Sequence, residues 1–223
     1  MSFKEKKYTI KKGAISKEMA RFLYEYVSLK RKVARTMFDV KYLSPYTEYF
    51  GVWNDQQVPE TYSHYADIVM ETLLEDLRSL MEKETGLVLL PTYSYFRIYK
   101  KGDILKKHKD RAACSVSTTM NLGGDPWPIF INPNQNEGVH KIQDYVPSNS
   151  PGVKVELEPG DMLIYSGCDL EHWREPFEGD NNAQVFLHYN NKSEPNARAE
   201  KFDRRIHLGL PAWFKGKIVQ DFK

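Results

Sequence analysis

From residue 87 to residue 191 the chain is a succession of short strand-like runs with no helical stretch between them, and this limits its fold more than any other feature. "LVLLPTYSYFRIY" opens the series, alternating and rich in aromatic and β-branched residues. "CSVSTTMNL", "PIFIN", "VKVELE", "DMLIYSG" and "AQVFLHYN" follow, each bounded by Gly, Pro, Asn or Asp. Strands without crossover helices pair antiparallel, so the segment predicts a sandwich or jelly roll. Between "PIFIN" and "VKVELE" a polar stretch from about Asn132 to Gly152 reads as a long loop, suited to closing over a site.

The first 86 residues have a different texture. Ser16 is a good cap for "SKEMARFLYEYVSLKRKV", where Met19, Phe22, Leu23, Tyr26 and Val27 recur at helical spacing. A second, longer helix is expected from Pro59 to Gly86, with a stripe through Val69, Met70, Leu73, Leu77, Leu80 and Met81. "YLSPYTEYFGVW" between them reads as a loop packed on the core. After the strands a short helix is expected near Ala197 to Ile206, then an aromatic plug of Trp213 and Phe214. The expected layout of this single domain is 1–86 mainly helical support, 87–191 catalytic strand core, and 192–223 C-terminal helix and tail.

Composition narrows the function classes. Of 223 residues, 32 are basic and 30 acidic, a net charge of +2, which is no electrostatic footprint for nucleic acid or an anionic membrane. No run approaches the roughly 18 apolar residues a membrane span needs. "MSFKEKKY" has no apolar run after its charges, so no secretory leader is expected. Cys114 and Cys168 are the two cysteines and form no CxxC, which fits a reducing, cytoplasmic setting.

The chemistry is carried by "KKHKDRA". His108 and Asp110 are one residue apart, so on a strand they point the same way, as two metal ligands must. A lone His-x-Asp pair arises easily by chance. Here it follows a strand, a Gly turn and a second short strand, and "LEPGDMLIYSGCDLEHWREP" supplies a turn, a strand and then His172 just past the strand end. Two histidines and one carboxylate leave the opposite face of a metal open, the arrangement of non-haem Fe(II) and oxygen chemistry; zinc more often takes a closed tetrahedral set. The plainer role of His172 is a hydrogen-bonded histidine at the core edge.

The stretch from about Tyr95 to Asn190 resembles the Fe(II)- and 2-oxoglutarate-dependent dioxygenases, most of all their prolyl 4-hydroxylase-like branch. The resembling pieces are "RIYKKGDILKKHKD", "PGDMLIYSG" and "HWREPFEGDNNAQVFLHYN". The resemblance implies an α+β chain with a double-stranded β-helix (jelly roll) core braced by N-terminal helices. It implies Fe(II) held by His108, Asp110 and His172, 2-oxoglutarate as co-substrate, and ascorbate as an aid to activity. Manganese, cobalt or zinc can occupy such a site too.

The co-substrate's distal carboxylate needs a cation or several donors when buried. Tyr99, nine residues before His108, matches the branch's co-substrate tyrosine. Arg97 shares a face with Tyr99 on a regular strand, and an inward arginine calls for an anion. The branch normally places a lysine or arginine nine to ten residues after the distal histidine; here Asn181 and Asn182 stand there, with Gln184 beyond. Arg97 and Arg111 are the leading replacements and Arg174 the third. His188 shares a strand face with Gln184 and suits the substrate side, Trp127 a pocket wall. His64, His140 and His207 read as surface or capping residues.

The expected activity is hydroxylation of a peptidyl side chain, with prolyl favoured by the resemblance, or of a small amino-acid-like molecule; nucleic acid and membrane are not expected partners. The alternatives are a cupin-like metal-binding protein without oxygenase activity, or a nucleic-acid-modifying oxygenase of the same superfamily.

Overall fold

Two antiparallel sheets face each other, and the chain passes between them in the order a jelly roll requires. The computed structural model describes residues 3–44, 47–140 and 144–215. Its elements are α1 (Phe3–Lys6), β1 (Tyr8–Lys11), α2 (Lys17–Asp39), β2 (Tyr62–Tyr65), α3 (Ile68–Asp76), α4 (Arg78–Thr85), β3 (Leu89–Lys100), β4 (Leu105–His108), β5 (Val116–Gly124), β6 (Ile129–Ile131), β7 (Val139–His140), β8 (Tyr145–Val146), β9 (Val153–Val155), β10 (Met162–Tyr165), β11 (His172–Arg174) and β12 (Asn181–Asn191). The larger sheet runs β1-β10-β5-β12-β3-β2 and the smaller β4-β11-β6-β9. Core strands alternate between the sheets except at β6 and β9, which pair in the smaller one, and the double-stranded β-helix that the resemblance implies is the observed architecture.

Period-two alternation gives the larger sheet two distinct faces. Phe96 and Ile98 of β3, Met120 of β5, and Val185 and Leu187 of β12 point outward into one core with Leu23 and Val27 of α2, Met70 and Leu74 of α3 and Met81 of α4. Each such side chain, fully buried, stabilises the fold by about 2 kcal/mol. The residues between them, Tyr93, Tyr95, Arg97 and Tyr99 of β3 and Phe186 and His188 of β12, point inward and line a cavity. Inside the barrel, Trp127 packs on Tyr99 and Phe177, with ring centroids 4.6 and 5.0 Å away.

The helical third departs from expectation in three places. Ser16 caps α2 as expected, its hydroxyl accepting from the Met19 amide. The buried face of α2 is Ala20, Leu23, Val27 and Ala34, while Met19 and Phe22 are exposed. The long helix expected from Pro59 is instead an edge strand, β2, followed by two helices that meet at Leu77. Asp67 starts α3 by accepting from the Val69 and Met70 amides. Gly86 ends α4 in the left-handed conformation, as expected. In the aromatic loop, Phe50 and Trp53 pack on the core but Tyr42 and Tyr49 are exposed; residues 45 and 46 lie outside the described set.

Beyond the barrel, the polar loop after β6 carries the hairpin β7–β8, whose connecting residues 141–143 lie outside the described set. It is tied down by Glu171, which accepts from the Tyr145 hydroxyl and the Ser148 amide, both at 2.9 Å. The expected C-terminal helix is a single 3-10 turn, Lys201–Arg204, in which Phe202 and Asp203 are left-handed. Arg205 anchors it by a buried ion pair to Glu71 at 2.7 Å. Trp213 plugs nothing: it is exposed, stacked edge-on to Tyr49 and beside Phe214.

Candidate metal centre

β4 and β11 are paired so that His172 falls opposite His108. Facing residues of an antiparallel pair share one side of the sheet, so this register alone sets both imidazoles at the same end of the cavity. His172 lies past the end of β10, as expected from the sequence, and is itself the first residue of β11. Asp110 follows β4 and is held by its amide, which donates to the Gly167 carbonyl at 2.8 Å. Gly167 must lack a side chain: a Cβ there would lie 2.2 Å from the Asp110 carboxylate and 2.6 Å from the Cys114 carbonyl.

The donor atoms converge. One ligand atom from each of His108, Asp110 and His172 lies within 4.8 Å of the other two. Asp110 Oδ1 is 3.7 Å from His108 Nε2 and 3.4 Å from His172 Nε2. Each histidine spends its other nitrogen on backbone: His108 Nδ1 on the Lys106 carbonyl at 2.8 Å, His172 Nδ1 on the Leu170 carbonyl at 3.0 Å. A carbonyl accepts only, so each Nδ1 carries a proton and each Nε2 is the nitrogen left to face the shared point. Burial, reinforced by the His172 charge, pushes His108 down to about 4, so its imidazole is neutral and able to ligate at pH 7.

Asp110 is oriented by a relay. Ser117 Oγ donates to Asp110 Oδ2 at 2.8 Å and lies 2.9 Å from His188 Nδ1. One hydroxyl has one proton, so His188 Nδ1 donates to Ser117 and Ser117 to Asp110, leaving Oδ1 facing the histidines. Burial opposes ionisation of Asp110, but the charge and hydrogen bond of His172, with His108 and His188, hold its carboxyl well below the ordinary carboxylate range. A histidine pair plus a carboxylate with pinned second atoms is the donor set expected for a non-haem Fe(II) site, and the residues present fit that ion.

The centre opens on a cavity of about 320 Å³ walled by Tyr93, Tyr95, Tyr99, Tyr165, Phe186 and His188, with Lys109 and Arg111 also in its lining. Arg97 lies in the same wall but is committed: Nη2 is 2.6 Å from Asp55 Oδ2, and Nη1 is 3.3 Å from both Gln57 and the Tyr99 hydroxyl. Gln57 Nε2 in turn sits 3.2 Å from His108 Nε2. Arg111 is also committed, bound by both guanidinium nitrogens to Asp203 at 2.7 and 2.9 Å. Arg174 is buried beyond Tyr99 without a carboxylate partner among the described residues, donating to Thr119 Oγ1 and the Trp127 carbonyl. Gln184 bonds Thr119 and Asn182. Trp127 stands behind Tyr99 rather than in the wall.

No protein-family model matches the chain, and no curated protein matches it in sequence. Solved structures do match. SnoN, a non-haem α-ketoglutarate-dependent epimerase from nogalamycin biosynthesis, superposes with a TM-score of 0.61 at 14% identity over 85% of this chain and 80% of its own. The fold is that of the 2-oxoglutarate-dependent oxygenases. HygX from Streptomyces hygroscopicus, with nickel and 2-oxoglutarate bound, gives 0.55 at 13% identity over 86% and 85%. A prolyl-4-hydroxylase from Pseudomonas putida gives 0.50 at 14% identity over 86% and 96%.

Within this oxygenase fold the sequence reading of His108, Asp110, His172, Tyr99, Arg97 and His188 puts all six at one cavity. His140 and His207 are exposed as expected, but His64 is buried on β2, 3.4 Å from Asp67. The reading missed Ser117, Gln57, Tyr165 and Asp203, whose roles depend on contacts between residues far apart in the chain. Gly167 in "YSGCD" had a signal, since a glycine at a strand end marks close backbone approach. No helix among the described residues is long and apolar enough to cross a membrane.

Proposed function

We propose that the protein is an Fe(II)- and 2-oxoglutarate-dependent dioxygenase that hydroxylates a small residue-sized substrate. The observation that carries this reading is the convergence of His108 Nε2, Asp110 Oδ1 and His172 Nε2 at one end of a cavity, each with its partner atom already satisfied. Iron bound there, with 2-oxoglutarate and oxygen, supplies an oxidation strong enough to hydroxylate an unactivated C–H bond, the co-substrate leaving as succinate and carbon dioxide. The chain's own residues bind and orient. His188 and Ser117 fix the carboxylate face of Asp110, Tyr99 offers a phenol to the co-substrate, and the Tyr95 and Phe186 rings exclude water from one wall.

A cavity of about 320 Å³ has room for a five-carbon co-substrate beside the triad. The near-balanced charge of the chain, +2 in 223 residues, favours a peptidyl side chain such as prolyl, or a free amino-acid-like molecule, over nucleic acid. Lys109 in the cavity lining suits a substrate carrying a carboxylate or backbone carbonyls. The fold match to a prolyl-4-hydroxylase and to HygX with nickel, 2-oxoglutarate and hygromycin B bound supports a small or peptidyl substrate without choosing between them.

The test is succinate formation. Protein loaded anaerobically with Fe(II) is given 2-oxoglutarate, ascorbate and then oxygen, beside His108→Ala and Asp110→Ala. Succinate above background that vanishes in both variants is the expected result. Iron-loaded protein that neither forms succinate nor binds 2-oxoglutarate would instead be a metal-binding jelly roll without oxygenase activity.

A further inference from the structure

Arg174 is 1% exposed, and its charge is unanswered. Nη1 donates to the Trp127 carbonyl, Nη2 donates to Thr119 Oγ1 at 3.2 Å, and the guanidinium lies 5.0 Å from the centre of the Trp127 ring. Nε has no hydrogen-bond partner among the described residues. The groups nearest it are neutral: Thr119 donates onward to Gln184, and Gln184 to Asn182. A guanidinium in such a place is costly to bury unless an anion meets it. Arg97, Arg111 and Arg205, the other arginines at the cavity or in the core, each have a carboxylate within 2.7 Å. Arg174 alone among these lacks one.

Its place in the fold gives the missing anion a direction. Arg174 is two residues beyond His172 on β11, so both point into the barrel. The Trp127 ring under its guanidinium packs in turn on Tyr99, with ring centroids 4.6 Å apart, and Tyr99 lines the metal-site cavity together with Tyr165, which packs on His172 at 4.6 Å. Arg174 thus lies one ring behind the cavity wall, on the side toward which an elongated anion with one end at the triad would extend.

We propose that Arg174 is the cationic end of a carboxylate subsite on the barrel floor, completed by the far carboxylate of 2-oxoglutarate. This rests on the reading of the triad as a 2-oxo-acid-dependent metal centre. The cation that β12 lacks at Asn181, Asn182 and Gln184 is supplied from β11, and reaches the same floor through Thr119. Thr119 and Tyr165 are positioned as neutral companions of that carboxylate. Arg97 and Arg111 hold the cavity's shape by their internal pairs.

The test compares two acids that differ in the far carboxylate alone. Wild type, Arg174→Gln and Arg97→Gln are loaded anaerobically with Mn(II), and 2-oxoglutarate and 2-oxobutyrate are titrated by calorimetry. Wild type is expected to prefer 2-oxoglutarate by roughly a hundredfold, the worth of a buried bidentate charge pair. Arg174→Gln is expected to bind both acids equally with Mn(II) affinity unchanged; Arg97→Gln, which disturbs the cavity wall but leaves Arg174 in place, is expected to weaken both acids alike and so keep the preference between them. Arg174→Lys, which keeps the charge but not the fork, is the second variant: a preference reduced about tenfold supports the proposal even if the glutamine variant does not fold. An undiminished preference in Arg174→Gln, or in Arg174→Lys where that alone folds, overturns the assignment. Wild type that holds Mn(II) but binds neither acid overturns the metal-centre reading, and this inference with it.

Discussion

His108 and His172 stand opposite one another across the β4–β11 pair, their ring centroids 4.2 Å apart, and each ties its Nδ1 to the backbone carbonyl two residues before it. The two imidazoles are therefore placed by strand register and local turns. A slip of one residue in that pairing would turn one imidazole to the outer face.

The third ligand depends on a glycine. Gly167→Ala places a methyl 2.2 Å from Asp110 and 2.7 Å from Ser117 Oγ, so the carboxylate or the turn must move. Metal affinity should fall about tenfold or more, the range seen when a ligand's supporting contacts are lost. Titration of Mn(II) into both proteins decides it; wild-type affinity in the variant would mean that Asp110 is oriented by other contacts.

Gln57 presses on the same centre from the other side. Its amide lies 3.2 Å from the His108 nitrogen that faces the ligand point, so bound metal must displace it. Gln57→Ala removes a competing hydrogen bond worth about 1 kcal/mol, and metal should bind about fivefold tighter. Arg97 keeps its Asp55 partner, so the cavity wall stands. Unchanged or weaker binding in this variant would refute the competition.

His188 makes the metal-free protein acid-sensitive. Burial first, then the charges of Arg111 and His172, lower it from 6.5 to about 4 against the opposing pull of Asp110. The unfolded chain thus takes up this proton before the folded one does. The contribution is complete above about pH 6.5 and is lost progressively as pH falls to about 4, on the order of 3 kcal/mol in total. Unfolding midpoints of the EDTA-treated protein should fall across that window, and less steeply in His188→Gln. Parallel acid limbs in the two proteins would remove His188 as the cause.

The strand core, the His108–Asp110 pair and the helix cap at Ser16 were legible because each rests on local spacing, whereas His172, 62 residues beyond Asp110, was reached through its strand context and the family resemblance. What was not legible depended on tertiary choice. α2 buries Ala20 and exposes Phe22 because the close approach of a helix to β5 favours the smaller residue. "TYSHYAD" became a strand because β3 had an open edge to pair, although its spacing also suits a helix. The tail failed as a helix because Arg205 is drawn to Glu71 and Asp203 to Arg111, which leaves Phe202, Asp203 and Arg204 with φ of 55°, 53° and 64°. No local propensity predicts three left-handed residues in a row.

That strained turn leads to the last prediction. Asp203 accepts from the Tyr65 hydroxyl at 2.6 Å and holds Arg111, which adjoins Asp110 in sequence, over the Tyr93 ring. Asparagine tolerates the left-handed backbone, so Asp203→Asn removes the charge and little else. Arg111 is half-exposed, so the loss of the pair should cost only about 1 kcal/mol of stability. The freed guanidinium then competes with metal for the Asp110 carboxylate, and metal affinity should fall about fivefold. Asp203→Asn/Arg111→Met should recover it, because the competitor is gone while the turn is still altered. A double variant as weak as the single one would instead place the effect in the turn itself.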